Sequence, residues 1–353
     1  MIMQMKVHLI VVFLFTIAGC HRQSYNIFNG EFRYVEYSGK IEMLTGEEVD
    51  IDGLGIRRTW IADTLLLVWS PYNEESFASI YSLNSNKLLY NNLLLIGRGP
   101  NEYLYVEIAH LYTDSSGVKA WFSVNYREKL ILVDISSTIL QQRLVVEREI
   151  ELNVEERGAI HAAFFDRDTS IVLQKIFHND HLSIYNPVSG ESRFIGWLYS
   201  DEYPNYLDIE VFSVYYVYNM EKSVLAGGMV YFNQINFYPL KIGVPYSIST
   251  VRRAIRYDNI KSMPTSDRLN YYGPISYDED VIILTSYGSG KKDDEHCNAV
   301  ENIFLHVVTW EGALLKIFKL DCCFVGHSFD SRTGYLYGVD IETDRILRYK
   351  INL

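Results

Sequence analysis

The chain consists of short β-type apolar runs that recur at even spacing, with turn residues between them and almost no helical periodicity. Runs such as WIADTLLLVWS, VKAWFSV and VIILTSYG alternate with turn sequences such as NSN, DSSG and NP. The many aromatic residues, among them 28 tyrosines, suit half-buried strands. Short strands without intervening helices predict an all-β sandwich, barrel or propeller.

A weak internal repeat favours the propeller. Blocks such as VKAWFSVNYREKLILVDISSTILQQRLV and SIVLQKIFHNDHLSIYNPVSGESRFIG share one order: a strand, a tight turn, a second strand ending in Asp or Asn, and a third strand. Four antiparallel strands repeated radially make a blade of ~40–50 residues. Residues 31–353 would give six blades of about 54 residues each, although five or seven blades also fit.

The chain ends in RILRYKINL, part-way through such a blade. An open sheet edge would invite aggregation, so another strand must complete the last blade. The early run EFRYVEYSG is the natural candidate. We therefore predict that residues near 32–37 pair with the C-terminal blade and close the ring.

The N-terminus carries a targeting signal. One cation, Lys6, precedes an apolar run from Leu9 to Ile17, which is too short to span a bilayer and predicts a signal peptide over residues 1–19. The sequence IAGC at its end resembles a bacterial lipobox, which would make Cys20 the site of lipid attachment and residues 20–30 a tether. An ordinary secretory signal is the alternative. The lack of acidic residues after Cys20 favours an outer-membrane lipoprotein that faces the periplasm, with the cell surface as the alternative.

Charge and motif content exclude several classes of function. The net charge of −12 argues against a nucleic-acid partner. There is no CxxC zinc motif, no GxSxG elbow and no HExxH helix, so neither a metal nor a cofactor is expected. Beyond Cys20 the chain has three cysteines, and a bridge from Cys297 to either Cys322 or Cys323 is possible. Because adjacent strand residues point to opposite faces, Cys322 and Cys323 cannot share one role.

The stretch LLLIGRGPNEYLY, residues 93–105, predicts the crossing from the outer strand of one blade to the inner strand of the next. Gly97 and Gly99 permit unusual backbone angles, and Asn101 tolerates the left-handed conformation. A phosphate-binding loop would need a helix after the glycines, whereas here Pro100 and a strand-like run follow.

The GRGPNEY motif of this stretch resembles the G-x-G-P-x-E-[FY] signature of the TolB-like six-bladed propeller lipoproteins of Bacteroidetes-type bacteria. The C-terminal sequence VVTWEGALLKIFKLD, followed by GYLYGVDIETDRILRYKI, is similar to the last blade of that family. The resemblance implies a periplasmic or surface propeller. It supplies no catalytic residues.

Candidate sites follow from this expected architecture. Arg98, Asn101 and Glu102 are expected on a loop facing the central channel, where an Arg beside a Glu could hold a carboxylate or a peptide terminus. Alternatively, Arg98 and Glu102 brace the corner through local backbone bonds. Tyr271 and Tyr272, placed in a loop before Gly273-Pro274, are candidate platforms for sugars.

Three further stretches contain polar or aromatic residues whose roles follow from their expected local structure. In FHNDHL, His178 and His181 flank a predicted hairpin tip, which favours solvated side chains over a metal site. The stretch KKDDEHCN predicts a loop insertion. Tyr215 and Tyr216 alternate faces on a strand, so one of them belongs to the core.

The sequence thus predicts a lipid-anchored envelope propeller that binds a protein, peptide or glycan. The alternative is a propeller-type enzyme, a polysaccharide lyase or glycosidase, with its acid and base groups in the channel. A third possibility is a structural part of an outer-membrane assembly, which an exposed apolar patch on one rim would support.

Overall fold

A computed structural model of the chain describes residue 28 and residues 30–51, 55–125, 129–152, 160–166, 170–175, 181–186, 188–198, 211–252, 255–292 and 303–353. Within these residues the strands form six small sheets. Each sheet is built on four strands, and the six make a six-bladed β-propeller, which confirms the predicted fold class. The predicted signal peptide and Cys20 lie outside the described residues.

The described structure begins with a segment that belongs to no single blade. Over residues 28–51, which we call the N-terminal strap, it forms three short strands: β1 (Glu31–Tyr34), β2 (Glu42–Met43) and β3 (Glu47–Glu48).

The first three blades follow in chain order. Blade 1 contains β4 (Arg58–Ala62), β5 (Leu65–Trp69), β6 (Ser76–Ser82) and β7 (Leu88–Ile96), with β8 (Glu102–Tyr103) added outside β7. Blade 2 contains β9 (Val106–Asp114), β10 (Gly117–Val124), β11 (Lys129–Asp134) and β12 (Val146–Glu151). Blade 3 contains β13 (Ile160–Asp166), β14 (Ser170–Lys175), β15 (His181–Tyr185) and β16 (Ser192–Trp197).

The other three blades incorporate the strap. Blade 4 contains β17 (Val214–Asn219), β18 (Val224–Met229), β19 (Ile235–Pro239) and β20 (Tyr246–Ser249). Blade 5 contains β21 (Leu269–Tyr277), β22 (Val281–Lys292), β23 (Phe304–Thr309) and β24 (Leu314–Lys319). Blade 6 contains β25 (Phe324–Asp330), β26 (Tyr335–Asp340) and β27 (Ile346–Lys350).

The first strand of each blade is innermost and the last is outermost. Because neighbouring strands in a blade are antiparallel, the connections from first to second and from third to fourth strand lie on one face of the disc. We call this the hairpin face, and the other the opposite face. An ion pair between blades agrees with this arrangement. Arg332, in the first connection of blade 6, lies 2.9 Å from Asp63, in the first connection of blade 1.

The hydrophobic core is divided among the junctions between blades. Six buried clusters each join two neighbouring blades, so every sheet packs both of its faces. Trp121, for example, is fully buried where blade 2 meets blade 3. A strand that is covered on both faces contains consecutive apolar residues, such as the LILV sequence of β11.

The ring closes through the strap, but not at the residues predicted. Glu47 and Glu48 of β3 pair antiparallel with Arg348 and Leu347, supplying the fourth strand of blade 6. The predicted closing segment, residues 32–37, was wrong: β1 instead pairs parallel with the outer strand of blade 4, and β2 pairs parallel with that of blade 5. The closing strand must lie close in the chain to β4 of blade 1, and only β3 does.

The strap enters the fold at Phe28, a residue that the sequence assigned to the tether. Phe28 is buried in the cluster between blades 3 and 4, with its ring 5.4 Å from that of Tyr238. The backbone N–H of Glu31 then donates to the carbonyl of Pro245 at 3.0 Å. Since β1 runs parallel to β20, the chain enters blade 4 at the hairpin face.

In the described residues, two short α-helices and one 3-10 helix (Thr265–Asp267) interrupt the β-pattern. Helix α1 (Ile135–Gln141) connects β11 to β12, where the sequence repeat had suggested only strands. Asp134 caps it by accepting a hydrogen bond from the Ser137 N–H at 2.7 Å. Helix α2 (Tyr257–Lys261) lies between blades 4 and 5. In the described part of the chain, no helix is long and apolar enough to cross a membrane.

The two adjacent cysteines differ, as predicted. Cys323 is buried and disulfide-bonded, whereas Cys322 is a half-buried free thiol. Cys297, the other residue of the bridge that the sequence allows, lies outside the described residues. The Cys322 Sγ atom is 3.2 Å from the Tyr349 hydroxyl, and burial raises the pKa of this thiol to about 12.

Candidate functional site

The central channel forms a cavity of about 940 Å³ in the described structure. Most of its described wall comes from the first strands of blades 1, 2, 4, 5 and 6 and from the turns that follow them, and the second strands of blades 1 and 2 add Trp69 and Ser123. These inner strands expose polar and aromatic side chains to the channel while their neighbours pack between blades. The cavity is therefore the natural place for a ligand.

An aromatic stack forms the wall contributed by blade 1. The Arg58 guanidinium lies over the Trp60 ring at 5.0 Å from its centroid. The Trp60 ring meets the Trp69 ring edge-on at 6.0 Å, and Trp69 stacks on Phe77 at 5.8 Å. This packing holds the tryptophan rings in fixed orientations, and it fixes the arginine over one of them.

Arg58 is a cation without a counter-ion in direct contact. Within the part of the chain that the structure describes, its guanidinium forms neither a hydrogen bond nor an ion pair. Burial lowers the pKa of Arg58, while the negative charges of the more distant Tyr215 and Glu107 would raise it. Glu107 accepts a hydrogen bond from the Tyr105 hydroxyl. The Arg58 donors therefore remain available to an anionic group in the channel.

His327 also lines the channel, but its ring is fully occupied. Its Nε2 atom donates to the carbonyl of Pro274 at 2.9 Å, and its Nδ1 atom is 2.9 Å from the Ser276 hydroxyl. A carbonyl only accepts, so the neutral ring carries its proton on Nε2 and accepts from Ser276. Burial lowers the pKa of His327 to about 3. This histidine joins blades 5 and 6 and is not free for acid–base chemistry.

The two mouths of the channel differ in charge. Arg58 belongs to the opposite-face end, where β4 begins. At the hairpin face the described lining is mostly acidic, and its one cation, Arg332, is held by Asp63 at 2.9 Å and Asp330 at 3.1 Å. The remaining acidic side chains at this mouth are Glu221, Asp278 and Glu279. An anionic ligand would therefore be favoured at the opposite face and repelled at the hairpin face.

The predicted corner residues do not lie in the channel. The stretch does connect the outer strand of blade 1 to the inner strand of blade 2, as predicted. However, β8 is the fifth strand counted from the channel, so Arg98, Asn101 and Glu102 sit on the outer edge of the disc. The expectation that this loop faces the channel is wrong, because it follows the outermost strand and extends that edge before the chain turns inward.

The geometry of the corner explains the motif. The Gly99 N–H donates to Glu102 Oε2 at 2.6 Å, and a Cβ atom at Gly97 would come within 2.0 Å of the same oxygen. Asn101 has a φ of 63°, the predicted left-handed conformation. Glu102 thus folds over the glycines and braces the turn, while Arg98 is exposed.

The two candidate platform tyrosines lie on a strand, not in a loop. Both belong to β21, where register shifts around Gly273 and Pro274 form a bulge instead of a turn. Tyr272 is fully buried, with its hydroxyl 3.4 Å from His306 Nδ1, and burial raises its pKa. Tyr271 is half-buried against the cluster between blades 4 and 5. Neither residue lines the channel.

The other tyrosine pair behaves as predicted. Tyr216 packs against the core between blades 3 and 4, and Tyr215 is the more exposed of the two, although both contribute to the channel wall. His181 begins β15 with its ring 5.6 Å from Phe194, while His178, Asp180 and residues 293–300 lie outside the described residues. In the described part of the chain, no group of three His, Cys, Asp or Glu residues could hold a metal ion.

Arg58, Trp60 and Glu107 were not identified from the sequence. The stretch RRTWIAD does contain a signal, because an arginine and a tryptophan alternate with smaller residues on a strand that opens a blade. Without knowing that β4 is the innermost strand, however, nothing distinguishes these residues from an exposed outer edge.

Comparison with known proteins supports the architecture. No protein-family model matches the chain, and no curated protein matches it. Among solved structures, a protein of Bacteroides fragilis predicted to be exported is similar, with a TM-score of 0.55 and 11% identity over 91% of this chain and 99% of that one. A member of the DUF4221 family from Bacteroides vulgatus has a TM-score of 0.54 and 14% identity, over 88% and 96% of the two chains. At such identities the likeness shows the fold alone.

Proposed function

We propose that this protein is a lipid-anchored binding module of the cell envelope, which holds a carboxylate-bearing segment of a glycan, peptide or protein in its central channel. The observation that carries the proposal is Arg58, a channel cation without a directly contacting counter-ion and stacked on Trp60. A half-buried guanidinium such as that of Arg58 gains more from an anion than a fully exposed one does. The neighbouring aromatic faces suit a sugar ring or an apolar side chain.

The location outside the cytoplasm rests on the leader and the lipobox-like IAGC ending at Cys20. The similarity to a Bacteroides protein predicted to be exported fits this location. The braced GRGPNEY corner supports a relationship to TolB-like propeller lipoproteins, since its conformation accounts for Gly97, Gly99 and Glu102 of that signature. We therefore propose that the protein lies at the outer membrane and faces the periplasm.

The binding test compares Arg58→Met with Arg98→Met by calorimetric titration. The probes are an oligogalacturonate, a neutral malto-oligosaccharide and a peptide with a free C-terminal carboxylate. Removing one charge-assisted contact should weaken binding of the acidic probe by about 10–100-fold. Arg98→Met is the matched control, because it removes the same charge from the outer edge and should bind as the wild type does.

The same variants used as bait on an envelope extract identify the class of natural ligand. A ligand captured by the wild type and by Arg98→Met, but not by Arg58→Met, would support the proposal. If every captured ligand and every probe binds Arg58→Met as well as the wild type, the channel is not the binding site.

A lyase is the second candidate, because Tyr215 and Glu107 both interact electrostatically with the Arg58 guanidinium. In a β-elimination an arginine would neutralise the uronate carboxylate and a base would remove the C5 proton. The C4–O bond would break as a C4–C5 double bond forms, and the proton held by the base would pass to the departing oxygen. Incubation with polygalacturonate tests this candidate through the ultraviolet absorbance of the unsaturated product. Absorbance that rises with the wild type, but not with Tyr215→Phe, would favour the enzyme over the binding module.

A further inference from the structure

The most exposed large apolar side chains of the described structure are grouped in one sector. Ile242, Leu140 and Val188 are 94%, 84% and 80% exposed, more than any other large apolar residue described, and Val244 is 73% exposed. All four lie in the connections between the third and fourth strands of blades 2, 3 and 4. They therefore sit on the hairpin face of three consecutive blades, and we call them the aliphatic rim.

The local structure holds these side chains outward. Helix α1 buries Ile135 and Thr138, which leaves Leu140 on its other side. In blade 4, Gly243 has a φ of +142° and a Cβ atom there would come within 2.9 Å of the Pro239 side chain. The glycine thus permits a tight tip that presents Ile242 and Val244 to the solvent. The exposure of Leu140, Ile242 and Val244 therefore follows from the local conformation of these connections.

The charge of this sector differs from that of the rest of the hairpin face. The three connections, residues 135–145, 186–191 and 240–245, contain Arg143, Lys241 and one acid, Glu191. The channel mouth on the same face is acidic, and the chain as a whole has a net charge of −12. A surface of exposed aliphatic tips with few acids is suited to the interface of a lipid bilayer.

The N-terminal strap connects this sector to the predicted lipid. Phe28 is buried between blades 3 and 4, and Glu31 bonds to Pro245, which directly follows Val244. Phe28 follows Cys20 by only eight positions in the sequence. A fully extended chain of that length reaches about 28 Å, so an acyl group on Cys20 would hold the blade 4 rim near the bilayer.

We propose that the aliphatic rim docks on the membrane surface next to the lipid anchor and so sets the orientation of the propeller. The rim occupies one sector of the disc, which would tilt the hairpin face toward the bilayer at blades 2–4. The Arg58 end of the channel then points away from the lipid, open to a ligand. This inference rests on the lipid attachment that forms part of the proposed function.

The test uses the mature chain from residue 20 with Cys20→Ser, so that no acyl group contributes. Its binding to vesicles of three parts phosphatidylethanolamine to one part phosphatidylglycerol is measured by flotation. The rim variant combines Leu140→Ser, Val188→Ser, Ile242→Ser and Val244→Ser. The control variant combines Tyr72→Ser and Ile341→Ser, which remove exposed apolar side chains from the opposite face.

We expect the Cys20→Ser chain to bind the vesicles, the rim variant to bind at least about tenfold more weakly, and the control variant to bind unchanged. Vesicle binding that is absent, or equal in the rim variant, overturns the inference. So does a Cys20→Ser chain that sediments as a dimer which the rim variant does not form, because a second copy would then cover the rim.

Failure of the anchor is measured separately, by mass spectrometry of Cys20 in the native protein. A native chain without an acyl group there contradicts the lipid anchor of the proposed function, whatever the vesicles show. If the native chain is acylated but the Cys20→Ser chain does not bind vesicles, only the docking of the aliphatic rim is contradicted.

Discussion

Glu47 of the strap faces Arg348 of the last strand, with its carboxylate 3.0 Å from the guanidinium, at the point where the two ends of the chain meet. The pair is exposed and contributes little by itself. Beside it, however, Val49 is buried and its N–H donates to the Ile346 carbonyl at 2.8 Å. The closure of the ring is thus held by a few residues of the strap.

We expect Val49→Ser to destabilise the protein by about 2–3 kcal/mol, because it opens a cavity and buries a hydroxyl between blades 6 and 1. The free energy of unfolding in urea measures this change. The matched control is Met43→Ser in the same strap, where the side chain is 70% exposed and the change should stay within about 0.5 kcal/mol. Equal effects of the two substitutions would show that the buried contact of Val49 between blades 6 and 1 does not stabilise the protein.

Tyr349→Phe should destabilise the protein by about 1–2 kcal/mol. The Tyr349 hydroxyl donates to Asp321 Oδ1 at 2.6 Å, while the other oxygen of that carboxylate accepts from the strap at Gly46 N at 3.0 Å. Asp321 therefore links the strap to the last strand. Tyr335→Phe on the same sheet removes a hydroxyl without this role and should leave the unfolding midpoint unchanged.

Stability should fall in acid because His327 is buried and neutral. Its pKa is about 3 in the folded protein, below the ordinary value of 6.5, so the unfolded chain binds the extra proton first. The stability that the neutral His327 contributes is fully present above pH 6.5. As the pH falls toward 3, the free energy of unfolding decreases by about 1.4 kcal/mol per pH unit. His306, lowered to about 4 by burial, acts in the same direction.

The variant His327→Gln tests this assignment, since it removes the titrating ring and keeps polar atoms near Ser276 and Pro274. Urea unfolding at a series of pH values should give a slope for the variant that is shallower by about 1.4 kcal/mol per pH unit between pH 6.5 and 4. Parallel curves for variant and wild type would contradict a neutral, buried His327.

Glu102→Ala should cost about 1–2 kcal/mol, because the Gly99 N–H loses its charged acceptor at the blade 1 corner. Arg98→Ala, at the exposed position of the same loop, should stay within about 0.5 kcal/mol. Neither change should alter binding in the channel. Loss of ligand binding in either variant would return the corner to the list of candidate sites.

The fold class could be predicted from local sequence patterns alone, because strand period and turn chemistry are local properties. Runs such as SIVLQKIF and HLSIY appear where the structure has β14 and β15, and the GRGPNEY corner has the conformation that its glycines and Asn101 require. Helix α1 was missed, although Asp134 before two serines is a capping signal, since the flanking apolar runs dominated the pattern.

Contacts between residues that are distant in the chain could not be predicted in this way. A two-residue strand of glutamates has no sequence signal, so the closing role of β3 follows only from its place between blade 6 and blade 1. In the same way, Arg58 lines the channel because β4 is the innermost strand of its sheet, whereas Arg98 follows the outermost. Radial position in a propeller arises from packing between distant parts of the chain, and local residue preferences do not encode it.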